Sequence, residues 1–187
     1  MTPDPITSIP QRTQDFLAFR RLLYQVVVEN NYKKGCETGT DVGDSTRIFS
    51  AALQATGGTL VTIDRELPKE KWHEQWEIKN VTYLTKMVQE CFLQEEIDFL
   101  FIDDEHTYPH VLNELRQLGV WVRAGGKILL HDVYHEQFGP QVLRAIMEFT
   151  KLHLLTWIAY PQAHGMAIIE VDHSLPREAS MIQPQTS

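Results

Sequence analysis

Apolar residues recur at three- and four-residue spacing between Gln11 and Asn30. Phe16, Phe19, Leu22, Leu23, Val26 and Val27 fall on one stripe, which predicts an amphipathic helix ended by Asn30 and Asn31. Beyond it, short apolar runs alternate with longer helical stretches. Strands are expected at Lys34 to Thr38, Thr59 to Ile63, Val81 to Leu84, Ile97 to Ile102 (IDFLFI) and Lys127 to His131 (KILLH). Helices are expected at Ser45 to Gln54, stopped before Gly57 and Gly58, at Thr85 to Leu93, at Tyr108 to Val122 and at Gln141 to Lys151. Gly125 and Gly126 are read as a break before KILLH. Two closing strands are expected at Leu152 to Tyr160 and Gly165 to Val171.

Nearly continuous apolar strands separated by helices imply a sheet covered on both faces. The expected fold is an α/β, Rossmann-like, doubly wound domain. No internal repeat or linker divides it, so one domain is expected over residues 11–172. Residues 1–10, with three prolines, predict a loose arm, and residues 173–187 a polar tail that frays.

Composition narrows the function classes. The 187 residues carry a net charge of -8 and no cluster of basic residues, which argues against a nucleic-acid footprint. No segment approaches the ~18 continuous apolar residues of a membrane span, and the first residues lack the basic start and apolar run of a signal peptide. The expectation is a cytoplasmic protein with a small-molecule partner and no membrane contact. Cys36 and Cys91 lie in apolar surroundings and are expected to be reduced, buried thiols.

The segment Glu37 to Thr46, ETGTDVGDST, sits where the first strand hands over to a helix. Gly39 and Gly43 permit close approach of a ligand to the backbone, and the first turn of the helix offers N–H groups to an anion. Asp64 ends the second strand about 20 residues further on, where a carboxylate suits both hydroxyls of a ribose; the alternative is a solvent-facing turn residue. Neither G-x-G-x-x-G nor G-x-x-x-x-G-K-[ST] occurs, which disfavours a nicotinamide enzyme and a nucleoside triphosphatase.

At the chemical end, Asp103, Asp104 and His106 follow one strand, and His131 and Asp132 end the next. Successive parallel strand ends share an edge, so Asp103, His106, His131 and Asp132 are expected to converge, while Asp104 is read as a helix-capping or loop carboxylate. Hard divalent ions favour such oxygen ligands. Tyr134, His135, Phe138 and Pro140 form an aromatic loop that either walls a substrate pocket or covers the sheet. Tyr108 borders the pocket or merely packs. Trp72 and Trp76 stand four apart and would share one helix face, while Trp121 and Trp157 are expected in or near the core.

The loop ETGTDVGDST, the strand-end Asp64, the segment IDFLFIDDEHTYPHVLNEL and the run RAGGKILLHDV together resemble the class I S-adenosylmethionine-dependent methyltransferases. The chain looks most like the small metal-dependent O-methyltransferases of the catechol and caffeoyl-coenzyme A type, methyltransferase family 24. The resemblance implies a mostly parallel seven-stranded sheet whose last strand is antiparallel. It implies S-adenosylmethionine held by Glu37, Gly39, Thr40, Gly43, Ser45, Asp64 and Asp103. It also implies a divalent ion, magnesium or manganese, on Asp103, His131 and Asp132, with His106 as general base and Asp103 beside it in catalysis.

His131 departs from the family pattern, which has a carboxylate there. An imidazole at that position is a nitrogen ligand favouring manganese, iron or zinc, a group behind the ligands, or no ligand. Two rival expectations keep the cofactor: a metal-independent enzyme with His106 as base, and a non-catalytic S-adenosylmethionine-binding subunit. The second is motivated by the short stretch before Lys34 and the compact Tyr160 to Gly165 connection, which promise little cover for a substrate. A homodimer would supply it.

Overall fold

The computed structural model describes residue 9, residues 15–66 and residues 78–177. Its central strand is β4 (Ile97–Ile102), in which every residue is buried. Side chains alternate across it, so Phe99 and Phe101 enter one core while Leu100 and Ile102 enter another. A strand buried on both faces is almost wholly apolar, which explains the IDFLFI run, whose one polar residue, Asp98, is met by Lys33, Lys34 and Arg123.

The sheet has seven strands in the order β3-β2-β1-β4-β5-β7-β6. These are β1 (Lys34–Thr38), β2 (Thr59–Asp64), β3 (Val81–Thr85), β5 (Val122–His131), β6 (Thr156–Tyr160) and β7 (Met166–Val171). The pairings β3-β2-β1-β4-β5 are parallel, and β7 runs antiparallel to both β5 and β6. One face is covered by α1 (Asp15–Glu29) and α2 (Asp44–Thr56), whose Phe19, Leu23, Val27, Ile48, Phe49 and Leu53 pack on Leu60, Phe99 and Phe101. The other is covered by α3 (Tyr108–Gln117) and α4 (Gly139–His153) through Val111, Leu115, Val142, Ile146 and Phe149. The strand order reverses between β1 and β4, and the crevice at the carboxyl ends there is where open α/β sheets bind ligands.

Three expectations about elements change. The helix expected at Thr85 to Leu93 is one 3-10 turn, Val88–Glu90. Only Val88 and Cys91 of that stretch bury, whereas Met87 and Phe92 are exposed, and the Gln117 amide donates to the carbonyls of Val88 and Cys91. The helix begun at Tyr108 stops at Gln117, and after a 3-10 turn at Gly119–Trp121 the chain enters β5. Gly125 and Gly126 therefore lie inside a ten-residue strand. They accommodate a register shift between Ile97 and Phe99, because a Cβ on Gly126 would stand 2.5 Å from the Asp98 carbonyl. Finally, α4 runs to His153 and ends on Leu154 in the left-handed conformation, so β6 starts only at Thr156.

Cys36 and Cys91 are free and buried. Trp121 and Trp157 pack at the margin of the core. Ile9 and Leu175, within the stretches expected to be loose, are buried, and Arg177 lies over the Trp121 ring at 4.4 Å and pairs with Glu96. The rest of the expected arm, the tail beyond Arg177, and Trp72 and Trp76 lie outside the described residues. Among the described residues no helix is long and apolar enough to cross a membrane.

Candidate active site

The turn after β1 is built from inside. Glu37 is fully buried, and its carboxylate accepts hydrogen bonds from Ser45 Oγ at 2.5 Å and Thr46 Oγ1 at 2.6 Å. Burial pushes its pKa up to about 7 against the opposing pull of those hydroxyls. Glu37 and Ser45 thus brace the first turn of α2 against β1. Thr40 is also buried, its hydroxyl 2.6 Å from that of Thr62 on β2.

The glycines shape the surface of the turn. Gly39 has φ +83°, and a Cβ there would stand 2.2 Å from the Asp103 carbonyl oxygen. Gly43, at φ +75°, begins α2. Both conformations are open to glycine and strained for other residues. The Asp64 carboxylate at the end of β2 accepts the N–H groups of Asp41 and Glu66, each at 3.0 Å. Each carboxylate oxygen has a second lone pair, so Asp64 retains capacity for a diol.

The second part of the site lies at the ends of β4 and β5. The Asp103 N–H donates to the Thr38 carbonyl at 3.1 Å, which ties β4's exit to the glycine turn. His131 Nδ1 stands 3.3 Å from Asp103 Oδ1 and 3.4 Å from Asp132 Oδ1, and one ligand atom from each of the three lies within 4.8 Å of the others. His106 closes the group, its Nε2 3.1 Å from Asp132 Oδ2 and 3.4 Å from Asp103 Oδ1. Asp132 has φ +60°, a conformation disfavoured for a non-glycine residue and here located at the point of convergence.

The electrostatics follow from this packing. Burial drives the Asp103 carboxyl upward, but the hydrogen bonds and charges of His106 and His131 prevail and hold it below its ordinary value. Burial lowers the His106 pKa, and the carboxylates of Asp103 and Asp132 outweigh it, so the net direction is upward. His131 is buried and meets the Phe19 ring edge-on at 5.9 Å. Phe138 stacks on the His106 ring at 5.5 Å and His135 on Phe138 at 4.7 Å, so the aromatic loop after β5 covers the histidine.

All four residues expected at the chemical end, Asp103, His106, His131 and Asp132, are brought together. Asp104 turns elsewhere, toward His110 Nε2 at 3.1 Å. Tyr108 donates to Glu148 at 2.5 Å under the Arg144 guanidinium, and so joins α3 to α4. Sequence reasoning missed Asp98, which accepts hydrogen bonds from the backbone N–H groups of Lys33 and Lys34 and from Arg123 Nε. It also missed His110 and Glu114, whose four-residue spacing on one helix face was the available signal.

Known proteins share this architecture. Residues 36–133 match the family described as Methyltransferase domain. A protein from Staphylococcus aureus assigned as a caffeoyl-CoA O-methyltransferase superposes with a TM-score of 0.70 at 17% identity, over 88% of this chain and 86% of that one. The Bacillus cereus O-methyltransferase in complex with S-adenosylhomocysteine gives 0.64 at 18% identity, over 88% and 85%. A Podospora anserina methyltransferase bound to the same molecule gives 0.62 at 13%, over 89% and 92%. Among curated sequences, an uncharacterized protein of Acanthamoeba polyphaga mimivirus is 37% identical over 54 residues, 29% of this chain and 24% of that protein, so the match spans about a quarter of that relative's length. The family match covers more than half of the chain, including both the glycine turn and the strand ends of β4 and β5: the chain belongs to methyltransferase family 24, within the class I S-adenosylmethionine-dependent methyltransferases.

Proposed function

We propose that the protein transfers the methyl group of S-adenosylmethionine to a hydroxyl of a small molecule, with assistance from a divalent ion. The observation that carries this reading is the backbone contact of Gly39 with Asp103, which sets the glycine turn directly against the Asp103, His106, His131 and Asp132 group. The turn fits the cofactor: a cradle that a Cβ would fill, a helix start, and a carboxylate at Asp64 with spare acceptor capacity. The acidic group fits a cation, because two carboxylates and an imidazole offer oxygen and nitrogen donors within 4.8 Å. That mixed set suits manganese, iron or zinc as well as magnesium.

Methyl transfer asks the protein for alignment and charge control rather than covalent chemistry. The carbon–sulfur bond breaks as the oxygen–carbon bond forms, and S-adenosylhomocysteine leaves. Asp103, His131 and Asp132 would hold a divalent ion, which would supply Lewis-acid charge for the acceptor's developing oxyanion. His106 Nε2 takes the hydroxyl proton, and its two carboxylate neighbours stabilise the resulting imidazolium. Phe138 and His135 keep that imidazole under an aromatic cover.

A second reading follows from the position of His106. Its Nε2 lies between Asp132 and Asp103, where an imidazolium could itself balance both charges. On this reading the base works without metal.

The test is calorimetric titration of metal-stripped protein with S-adenosylhomocysteine, followed by methyl transfer to catechol and simple phenols with manganese or with excess chelator. Micromolar binding lost in Asp64→Ala, with turnover restored by manganese and reduced ~10²–10⁴-fold in His106→Gln, supports the metal-assisted reading. Full turnover in chelator favours the second reading. Absence of S-adenosylhomocysteine binding under every condition overturns both.

A further inference from the structure

Apart from the reaction centre, the described residues hold one more convergence of ligand-type side chains. Asp104 in the loop after β4 and His110 and Glu114 on α3 each offer an atom within 4.8 Å of the others. His110 Nε2 lies 3.1 Å from Asp104 Oδ2 and 3.8 Å from Glu114 Oε1. Its other ring nitrogen, Nδ1, faces Glu105 Oε2 at 3.8 Å. A carboxylate behind a histidine is the arrangement that orients an imidazole toward a metal.

Glu114 sets this group apart from an ordinary acidic cluster. It is fully buried, and among the described residues neither of its carboxylate oxygens accepts a hydrogen bond. The Thr38 hydroxyl lies close enough to lower its pKa but forms no bond of ordinary length and angle. A buried, unsatisfied carboxylate is expensive to maintain, and burial pushes this one up to about 8. A divalent cation would convert both vacant oxygens into ligands.

We infer that Asp104, His110 and Glu114 form a second metal-binding site for a borderline divalent ion, zinc foremost, separate from the reaction centre. The donor chemistry favours zinc, because one imidazole nitrogen joins two carboxylates whose ligand atoms lie within 4.8 Å of one another. Tetrahedral ligands at about 2.0–2.1 Å from zinc lie roughly 3.3 Å from one another. The present separations of 3.1 and 3.8 Å are close to that spacing. Such an ion would tie the loop after β4 to α3 beneath the edge where Asp103 emerges. The inference does not rest on the methyl-transfer reading, since the two groups share no side chain.

The test counts zinc bound to metal-stripped full-length protein by equilibrium dialysis and elemental analysis, in the wild type, Asp132→Asn, His110→Gln and Glu114→Gln. The expected result is a zinc ion retained in Asp132→Asn and lost in His110→Gln and Glu114→Gln. Affinity should fall by more than the ~10–100-fold typical of changes behind the ligands. Zinc should also raise the melting temperature of Asp132→Asn but not that of the double variant Asp132→Asn with His110→Gln. Because His110 is only partly buried, His110→Gln decides the matter if Glu114→Gln fails to fold. Unchanged zinc content in folded His110→Gln overturns the inference, as does an Asp132→Asn protein that binds none. In the latter case, zinc bound by the wild type belongs to the reaction centre.

Discussion

Gly39 and Asp103 meet backbone to backbone, so the turn after β1 and the exit of β4 form one continuous surface. The Asp103 carbonyl occupies the space a Cβ on residue 39 would need, and the Asp103 N–H bonds to Thr38. Any movement of the turn is therefore transmitted to the carboxylate next to His106 and His131.

Gly39→Ala should separate the two. The left-handed conformation alone costs an alanine roughly 1–2 kcal/mol, and the 2.2 Å approach adds a steric clash. The expected outcome is a melting temperature lowered by roughly 4–8 °C and loss of S-adenosylhomocysteine binding. A variant that melts and binds like the wild type would show that the approach is looser than described.

Glu37 predicts a pH dependence of stability with a definite sign. Its folded pKa of about 7 lies above the ordinary 4.5, so within that window the folded chain holds more proton than the unfolded chain. Stability attributable to this group is greatest below about 4.5 and declines as pH rises through about 7, by at most ~1.4 kcal/mol per pH unit. Thermal melts of wild type and Glu37→Gln from pH 5 to 8 should show the wild type losing ground with rising pH, then levelling off. A flat or rising difference contradicts the assignment.

Asp98 carries the opposite sign. Burial pushes its carboxyl up, but the donors on Lys33, Lys34 and Arg123 prevail and hold it below its ordinary value. Its contribution is present above the ordinary carboxylate range and is lost as pH falls through the lowered value. Asp98→Ala should destabilise the protein by about 2–4 kcal/mol in chemical denaturation at neutral pH, with S-adenosylhomocysteine affinity unchanged. A loss below the error of the measurement would mean that water replaces all three bonds.

The legibility of these features in sequence followed from their physical origin. IDFLFI was readable because a strand buried on both faces is almost wholly apolar, and Asp98 alone interrupts the run. Asp103, His106, His131 and Asp132 were readable because parallel strand ends must share an edge. Gly125 and Gly126 misled because a glycine pair signals a break as readily as a bulge, and only the Asp98 carbonyl against Gly126 distinguishes them. Thr85 to Leu93 misled because its apolar residues suit a helix, yet only Val88 and Cys91 find a core. Glu114 and Asp98 went unnoticed because a charged residue in the chain gives no sign that its surroundings will bury it. Likewise, nothing in the loop after β5 shows that Phe138 will stack on His106.

Strand β4 has Asp98 near one end and Asp103 just beyond the other, about 16 Å apart at ordinary strand rise. The first gathers donors that fasten the sheet's lower rim, and the second faces His106 and His131. This segregation gives the protein engineer two nearly independent handles on a single strand. Changes around Asp98 act on durability at one rim, whereas changes around Asp132 and Phe138 act on the opposite rim, where the proposed chemistry lies.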